Sequence, residues 1–262
     1  MPAPPQSAAS PSSATPRWRR RPSRRSLIVL GAVAAAIALL VLLWDWNWFK
    51  GPVERVVEAR TGREFDIAGN LDVDLGRITT VTAEGLRLGN AGWSEHGDMA
   101  TADRLALQIE LWPLLRGRVR LPELRLDAPD VRLEANPEGG PGNWDFGFAD
   151  DGNGEPLQLR RLWIEAGRLR FDDARVDTGI DIQLASREAG EGDAAPPVVL
   201  EGEGRWRGSE FSLEGSAASP LELQDADAPY RLDLRARAGA TRAHARGALS
   251  APFQLGGFDL QF

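Results

Sequence analysis

The chain has 262 residues, 31 basic and 38 acidic side chains, no cysteine, and a formal net charge of −7 at pH 7. The absence of cysteine excludes disulfides, thiolate metal sites and a cysteine nucleophile. Six arginines lie in residues 17–25, so residues 27–262 carry 25 basic against 38 acidic side chains, a net charge of −13. This acidity disfavours nucleic acid as a partner, because its binding relies on Lys and Arg to neutralise phosphates.

The amino-terminal segment has the features of a tail followed by a membrane anchor. Residues 1–26 contain no acidic residue and are rich in Pro, Ser and Ala before the arginines, which predicts a disordered basic tail in the cytoplasm. Residues 27–44 read LIVLGAVAAAIALLVLLW, and 18 helical residues rise about 27 Å, close to the hydrocarbon thickness of a bilayer. With the aromatic residues at 44–49 as an interfacial belt, we predict a transmembrane anchor over residues 27–49. The alternative, a cleaved signal peptide, has a shorter apolar region closed by small residues.

The apolar residues have helical spacing before residue 63 and alternate with polar residues after it. Pro52, Val53, Val56 and Val57 predict one short helix over residues 52–59, which Thr61-Gly62 ends. Nine later segments alternate apolar with polar or small residues, which predicts half-buried strands and a mainly β fold with an antiparallel sheet. They are residues 65–67, 71–75, 86–88, 105–111, 119–121, 157–159, 180–184, 230–234 and 258–262. A helical turn is predicted at 112–117, and Trp112 and Trp144 are interpreted as buried aromatic side chains.

Residues 121–134 and 159–172 form a weak internal repeat with an offset of 38 residues. In both copies the apolar positions change from odd to even numbers and back again, at equivalent places. The two changes predict two bends in each copy. At Ala128-Pro129 either a two-residue turn or a kinked continuous strand would satisfy the pattern.

The alternating strands leave one apolar sheet face that must be covered by helices, a second sheet or something other than protein. No second long amphipathic helix is predicted. Two architectures therefore remain: a curled open sheet that forms an elongated groove for lipid, and a closed β-sandwich with a dry core.

Catalytic signatures are missing from the sequence. No GxSxG, HExxH or Walker pattern occurs, and His96 and His244 are far apart in polar surroundings. Adjacent carboxylates such as Asp172 and Asp173 are interpreted as part of a solvated sheet face. We therefore expect no enzymatic activity, no metal site and no cofactor.

Several short motifs follow one another between residues 61 and 146. They are Thr61-Gly62-Arg63, Leu86-x-Leu88-Gly89-Asn90, Met99-Ala100-x-Ala102-Asp103, Leu114-Leu115-x-Gly117, Leu126-x-x-Pro129-x-Val131-x-Leu133 and Gly142-Asn143-Trp144-x-Phe146. Read separately, Gly62 is a helix cap, and Asn90 and Asn143 are turn residues. Read together, the motifs resemble the amino-terminal part of the AsmA family of Gram-negative envelope proteins in their order and spacing.

The resemblance implies an inner-membrane protein with a cytoplasmic amino terminus and a periplasmic β-domain over residues 50–262. The family is similar to bridge-like lipid-transfer proteins, whose curled sheet shields acyl chains, and its members are associated with outer-membrane assembly and lipid homeostasis. Because family members are usually longer, the β-domain is expected to be truncated at its carboxyl end.

The implied ligand is a phospholipid or another acyl lipid, held by apolar side chains of the sheet. The expected lipid-facing residues are Leu105, Leu107, Ile109, Leu111, Leu124, Leu126, Val131, Leu133, Leu162, Ile164, Leu169 and Phe171. The alternative function is a membrane-tethered assembly factor that binds outer-membrane proteins or other envelope partners along a sheet edge.

Overall fold

The computed structural model describes residues 33, 45–114, 116, 118–146, 158–190, 195–224, 230–251 and 256–261. The predicted tail and most of the predicted anchor lie outside this part of the chain. None of the helices in the described ranges has both the length and the apolar character needed to cross a bilayer. A short 3₁₀ helix (Trp46–Phe49) leads into α1 (Lys50–Thr61). Gly62 ends α1 in the left-handed region, with φ +64°, and donates its N–H to the carbonyl of Glu58, which confirms the predicted short helix and its end.

Beyond α1 the described residues are mainly β. The strands are β1 (Phe65–Ile67), β2 (Leu71–Asp74), β3 (Ile78–Gly89), β4 (Asp98–Glu110), β5 (Arg120–Leu121), β6 (Leu124–Asp127), β7 (Asp130–Glu134), β8 (Gln158–Leu159), β9 (Leu162–Glu165), β10 (Gly167–Asp173), β11 (Thr178–Ser186), β12 (Val198–Trp206), β13 (Ser209–Ala217), β14 (Tyr230–Ala238), β15 (Thr241–Ala251) and β16 (Gly256–Gln261). The helical turn α2 (Leu111–Leu114) follows β4. Two further 3₁₀ helices are Ala174–Val176 and Pro220–Gln224.

Fourteen of these strands form one curled, open sheet. Its order is β1-β3-β4-β7-β10-β11-β12-β13-β14-β15-β16, with β2 also paired to β3, and β6 placed between β4 and β9. The remaining pair, β5 and β8, forms a sheet of two strands with two residues each. In the described residues β1 and β16 do not pair and no second large sheet exists, so the closed β-sandwich is wrong.

The expectation of antiparallel pairing throughout is also wrong. The two copies of the repeat lie side by side and run in the same direction, in pairs β5 with β8, β6 with β9, and β7 with β10. Leu124 lies opposite Leu162 and Val131 lies opposite Leu169, so the 38-residue offset of the repeat is also the register of the parallel pairing. β8 lies beside β5, at the end where the first copy began, and so the second copy runs in the same direction.

The second slip in each copy of the repeat corresponds to a bend that crosses the sheet, and the first slip falls between β5 and β6 and between β8 and β9. Ala128 (φ +48°) separates β6 from β7, Ala166 (φ +51°) separates β9 from β10, and Gly85 (φ +64°) lies within β3. A residue in the left-handed region interrupts the alternation of a strand, so apolar side chains before and after it point to the same face. At Ala128-Pro129 the chain is therefore a kinked continuous strand, β6 followed by β7, and not a two-residue turn.

Side chains from the 3₁₀ helix and α1 cover the β1–β2 edge of the sheet. The backbone N–H groups of Phe65 and Ile67 donate to carboxylate oxygens of Glu58 and Glu54 at 3.3 and 3.1 Å. Leu71 donates to Asn47 Oδ1 at 3.0 Å. These side-chain oxygens take the place of the carbonyls of a neighbouring strand. They accept from backbone N–H groups that would have no protein partner at an exposed sheet edge.

Candidate functional site: the apolar face of the sheet

The ladder registers align apolar side chains in rows on one face of the sheet, here called the apolar face. On β3, β4, β6 and β9, one row contains Ala83, Leu105, Leu126 and Ile164, and the next contains Val81, Leu107, Leu124 and Leu162. A cluster of buried side chains, Ile67, Leu71, Ala83 and Leu86, anchors this half beside β1 and β2.

The apolar face continues across the second half of the sheet. Its rows contain Val131, Leu169, Ile182, Gly202 and Leu213; Leu133, Phe171, Ile180, Gly204 and Phe211; and Leu184, Leu200, Gly215 and Leu234. The two halves meet at Gly167, where a Cβ atom would lie 2.7 Å from Ile164 Cγ2 and 3.3 Å from Leu184 Cγ. Ile164, Gly167 and Leu184 therefore lie on the same face.

Glycines occupy apolar positions of the central strands because neighbouring side chains fill their space. A Cβ at Gly204 would lie 2.8 Å from the Phe211 ring and 2.5 Å from the carbonyl oxygen of Gly179. At Gly202 it would lie 3.0 Å from Ile182 Cγ1. Large side chains thus lie over glycines of the next strand and keep the face continuous.

The two faces of the sheet differ sharply in polarity. Most apolar-face side chains are half-buried, including Leu107, Leu169 and Ile182, whereas Gln183, Glu201 and Glu203 on the opposite face are exposed. Half-burial indicates that the apolar side chains shield one another along the curled sheet without a second layer above them. The helices of the described residues pack chiefly on β1, β2, and the ends of β4 and β11.

The structure brings together eleven of the twelve residues that sequence reasoning proposed as lipid-facing. These eleven lie in β4, β6, β7, β9 and β10, and their registers place them on the apolar face. Leu111 instead begins α2 at the end of β4. Of the twelve, Ile164 alone is fully buried, with 7 % of its surface exposed. Whether these side chains contact lipid stays a prediction.

Sequence reasoning missed the contribution of β12 and β13 to this face. Their apolar positions are Leu200, Phe211 and Leu213, interspersed with Gly202, Gly204 and Gly215. Glycine at the inward positions removed the alternation on which the strand prediction depended. Treating glycine as an inward residue in Leu200-x-Gly-x-Gly would have revealed β12.

The motif residues Arg63, Asn90 and Asn143 meet in one buried polar network at the end of β7. Asn143 is fully buried, accepts from the N–H of Glu134 at 2.9 Å, and donates to Asn90 Oδ1 at 3.0 Å and the Arg132 carbonyl at 2.8 Å. Arg63 donates to the Asn143 carbonyl at 3.2 Å. The asparagines interpreted as turn residues therefore tie the start of β1, the segment after β3, and the 142–146 loop together.

Ser94, His96 and Glu134 adjoin this network without forming a catalytic relay. Ser94 Oγ and the His96 ring each contact a different oxygen of the Glu134 carboxylate. A serine nucleophile needs the imidazole between it and the carboxylate, whereas here the carboxylate lies between hydroxyl and imidazole. The buried carboxylate thus acts as an acceptor that holds the loop after β3.

Ion pairs organise the charged face. Arg168 Nε donates to Asp181 Oδ1 at 2.9 Å, and this hydrogen bond, followed by the charges of neighbouring arginines, holds the pKa of Asp181 below its usual value. His244 Nε2 lies 2.8 Å from Asp233 Oδ1, and that hydrogen bond likewise lowers the pKa of Asp233. These paired, exposed groups make one face of the sheet hydrophilic. Their geometry is that of surface ion pairs and not that of a catalytic acid and base.

The described residues thus define a helix-poor, open β-sheet protein with one apolar and one charged face. The sequence model of the AsmA family matches residues 25–225, so the chain belongs to the AsmA family. This confirms the resemblance seen in the sequence. Membership of the family suggests a role associated with the cell envelope.

The chain is similar to the AsmA family protein YhjG of Escherichia coli (strain K12). The two are 26 % identical over 275 aligned residues, which cover 89 % of this chain and 40 % of YhjG. The chain therefore spans less than half the length of this relative. No solved structure matches the chain.

Proposed function

We propose that this protein binds acyl lipid along the apolar face and is a non-enzymatic, inner-membrane protein that supports outer-membrane assembly and lipid homeostasis from the periplasm. The observation that carries the proposal is the continuous apolar face, which extends from β3 to β14 with no covering layer in the described residues. An apolar surface of this extent marks a binding site for a partner that excludes water, which supports the proposal. The predicted anchor at residues 27–44 and the basic tail support the membrane location and its orientation.

The magnitude of acyl-chain binding favours conduction along the face over tight storage. Each methylene removed from water contributes about 0.8 kcal/mol, so ten methylenes shielded on one side gain about 4 kcal/mol, a dissociation constant of about 1 mM. Rows of similar apolar side chains repeat this weak binding from strand to strand. A ligand bound this way can move along the face without breaking a specific polar contact.

The assembly-factor alternative has less support. Strand addition needs a free row of backbone donors and acceptors, and at the β1–β2 edge Asn47, Glu54 and Glu58 already accept from the outward N–H groups. No observation at this edge favours a β-strand partner.

Photo-crosslinking at two adjacent positions tests the lipid proposal. Ile182 lies on the apolar face and Gln183 on the charged face of the same strand. We expect p-benzoylphenylalanine at Ile182 of the full chain in its native membrane to crosslink to lipid, detected by mass spectrometry. The same group at Gln183 should give little product. Equal crosslinking at both positions, or none at Ile182, would contradict the proposal.

A further inference from the structure

One end of the sheet carries a concentration of exposed apolar side chains, here called the apolar rim. Trp48, Leu75 and Trp112 each expose 64 % of their surface, and Ile78 exposes 44 %. Trp112 and, elsewhere in the chain, Trp144, which exposes 42 % of its surface, were interpreted from the sequence as buried aromatic side chains, and this is wrong for both. The complete rim is Trp48, Phe49, Leu75, Ile78, Trp112, Leu114 and Val119.

Strand register places these residues at the same end of the sheet. Ile78, at the start of β3, lies opposite Glu110 at the end of β4, immediately before α2. Glu58, Glu54 and Asn47 accept from the N–H groups of Phe65, Ile67 and Leu71 in turn, so α1 and the 3₁₀ helix lie along the β1–β2 edge, with Asn47 four residues of β2 away from Leu75. The β2–β3 turn and α2 therefore lie at the same end of the sheet, and the 3₁₀ helix lies beside β2.

The composition of this end fits the interface of a phospholipid bilayer. Tryptophan prefers the headgroup level, because its ring is apolar and its indole N–H is polar. Although the chain is acidic overall, residues 111–120 contain Arg116, Arg118 and Arg120 and no acidic residue. Arg120 pairs with the neighbouring Glu110 at 3.9 Å, and the local excess of basic residues favours anionic headgroups. A closed protein interface would require a comparably apolar partner surface, and the basic residues beside the rim favour lipid phosphates.

The rim is also close in sequence to the predicted anchor and continuous with the apolar face. Trp48 is four residues after the last residue of the 27–44 segment, a distance of at most about 14 Å along the chain. Ile109 and Leu107 precede α2 on β4, so the apolar face reaches the rim directly.

We propose that the apolar rim inserts into the interface of the bilayer that holds the anchor, so that the apolar face opens directly onto the acyl region. This inference rests on the membrane anchoring in the proposed function. The exposed apolar side chains of α2 and the β2–β3 turn then lie in the membrane interface and contact phospholipid. The insertion explains why an otherwise acidic chain has an apolar, basic end.

Matched single-cysteine variants test the insertion, since the chain has no cysteine of its own. Ile78→Cys lies in the rim, and Val176→Cys lies in the 3₁₀ helix between β10 and β11 at the other end; the two side chains are both β-branched and both 44 % exposed. The full chain would be reconstituted in vesicles of phosphatidylethanolamine and phosphatidylglycerol and labelled with a polarity-sensitive fluorophore. Lipids brominated in the middle of their acyl chains would serve as contact quenchers.

We expect quenching at position 78 to exceed that at position 176 at least threefold. Adding Trp112→Ser should at least halve the quenching at position 78, whereas Trp206→Ser, an exposed tryptophan at the far end of β12, should not. Equal quenching at 78 and 176, or quenching at 78 that Trp112→Ser leaves unchanged, would overturn the insertion. Lipid crosslinking at Ile182 is measured in a separate experiment. If crosslinking at Ile182 were absent while quenching at position 78 was as expected, the proposed function would be contradicted and the insertion of the rim would not.

Discussion

Asn143 shows how one side chain can hold three segments together. Its amide oxygen accepts from the Glu134 N–H, and its nitrogen donates to Asn90 Oδ1 and the Arg132 carbonyl, with no surface exposed to water. A buried polar group whose partner is removed loses its hydrogen bond and gains no water in exchange. The network therefore stabilises the fold only while every member is present.

Asn143→Ala should lower the free energy of unfolding by about 2 to 5 kcal/mol, because it leaves a buried N–H and a buried carbonyl unpaired. Urea unfolding of the full chain in detergent micelles would measure the change. Asn136→Ala is the matched control, since the Asn136 side-chain oxygen accepts from the exposed Glu138 N–H. Similar losses for both variants would show that the network contributes no special stability.

The Arg168–Asp181 pair predicts an acid-sensitive contribution to stability. The hydrogen bond from Arg168 holds the folded-state pKa of Asp181 below the usual value of an aspartate, so the pair stabilises the fold fully above that usual value, and the contribution is lost as pH falls through the folded-state pKa. Asp181→Asn should therefore lose less stability than the parent between about pH 5 and about pH 3. Unfolding midpoints across this range would measure it, with Gln183→Ala, on the same strand and face, as the non-titrating control. A parallel decline in parent and variant would contradict the prediction.

At the scale of elements, close contact between strands depends on glycine. Gly204→Val should destabilise the fold by about 1 to 3 kcal/mol, because its branched side chain must displace the Phe211 ring and crowd the Gly179 carbonyl. Ser212→Val, on the exposed face of β13, adds the same type of side chain where there is space and should change stability little. Thermal unfolding of the two variants compares them directly. A Gly204 variant as stable as the Ser212 variant would mean that Phe211 does not pack on β12.

These glycines also mark the limit of sequence-based prediction for the elements. Strands with branched apolar residues at alternate positions, such as β4 and β11, were predicted from their pattern. β12 was missed because Gly202 and Gly204 occupy its inward positions. The parallel pairing was missed because alternation specifies which face a side chain occupies but not the direction of the neighbouring strand.

For the whole molecule, the choice between an open sheet and a closed sandwich depends on contacts that no local pattern contains. Both architectures need strands with one apolar face, so the sequence predicted apolar positions within strands and did not decide what covers them. The strand order, which begins at β1 and ends at β16, decides for the open sheet. The polar network was equally hidden, since Asn90 and Asn143 are 53 residues apart and meet only in the fold.

If lipid moves along the apolar face, a substitution near the rim should reduce the amount of lipid that reaches strands farther from the rim. Leu107 lies on the apolar face of β4 on the path from the rim, and Ile182 lies on β11, three strands away in the sheet order β4-β7-β10-β11. Leu107→Asp places an unpaired carboxylate beside passing acyl chains, which desolvation disfavours. We expect it to reduce lipid crosslinking from p-benzoylphenylalanine at Ile182 at least fivefold. Because the Leu107 side chain is only half-buried, much of the fold should survive, and urea unfolding would check this.

Gln108→Asp is the matched control for this experiment. Gln108 is the next residue on the same strand and points to the charged face, so its variant adds the same charge without reaching the lipid path. Crosslinking at Ile182 should therefore be unchanged in Gln108→Asp. If Leu107→Asp left crosslinking intact while remaining folded, lipid would have to reach β11 by a route that avoids β4, and the apolar face would act as separate binding sites instead of a continuous path.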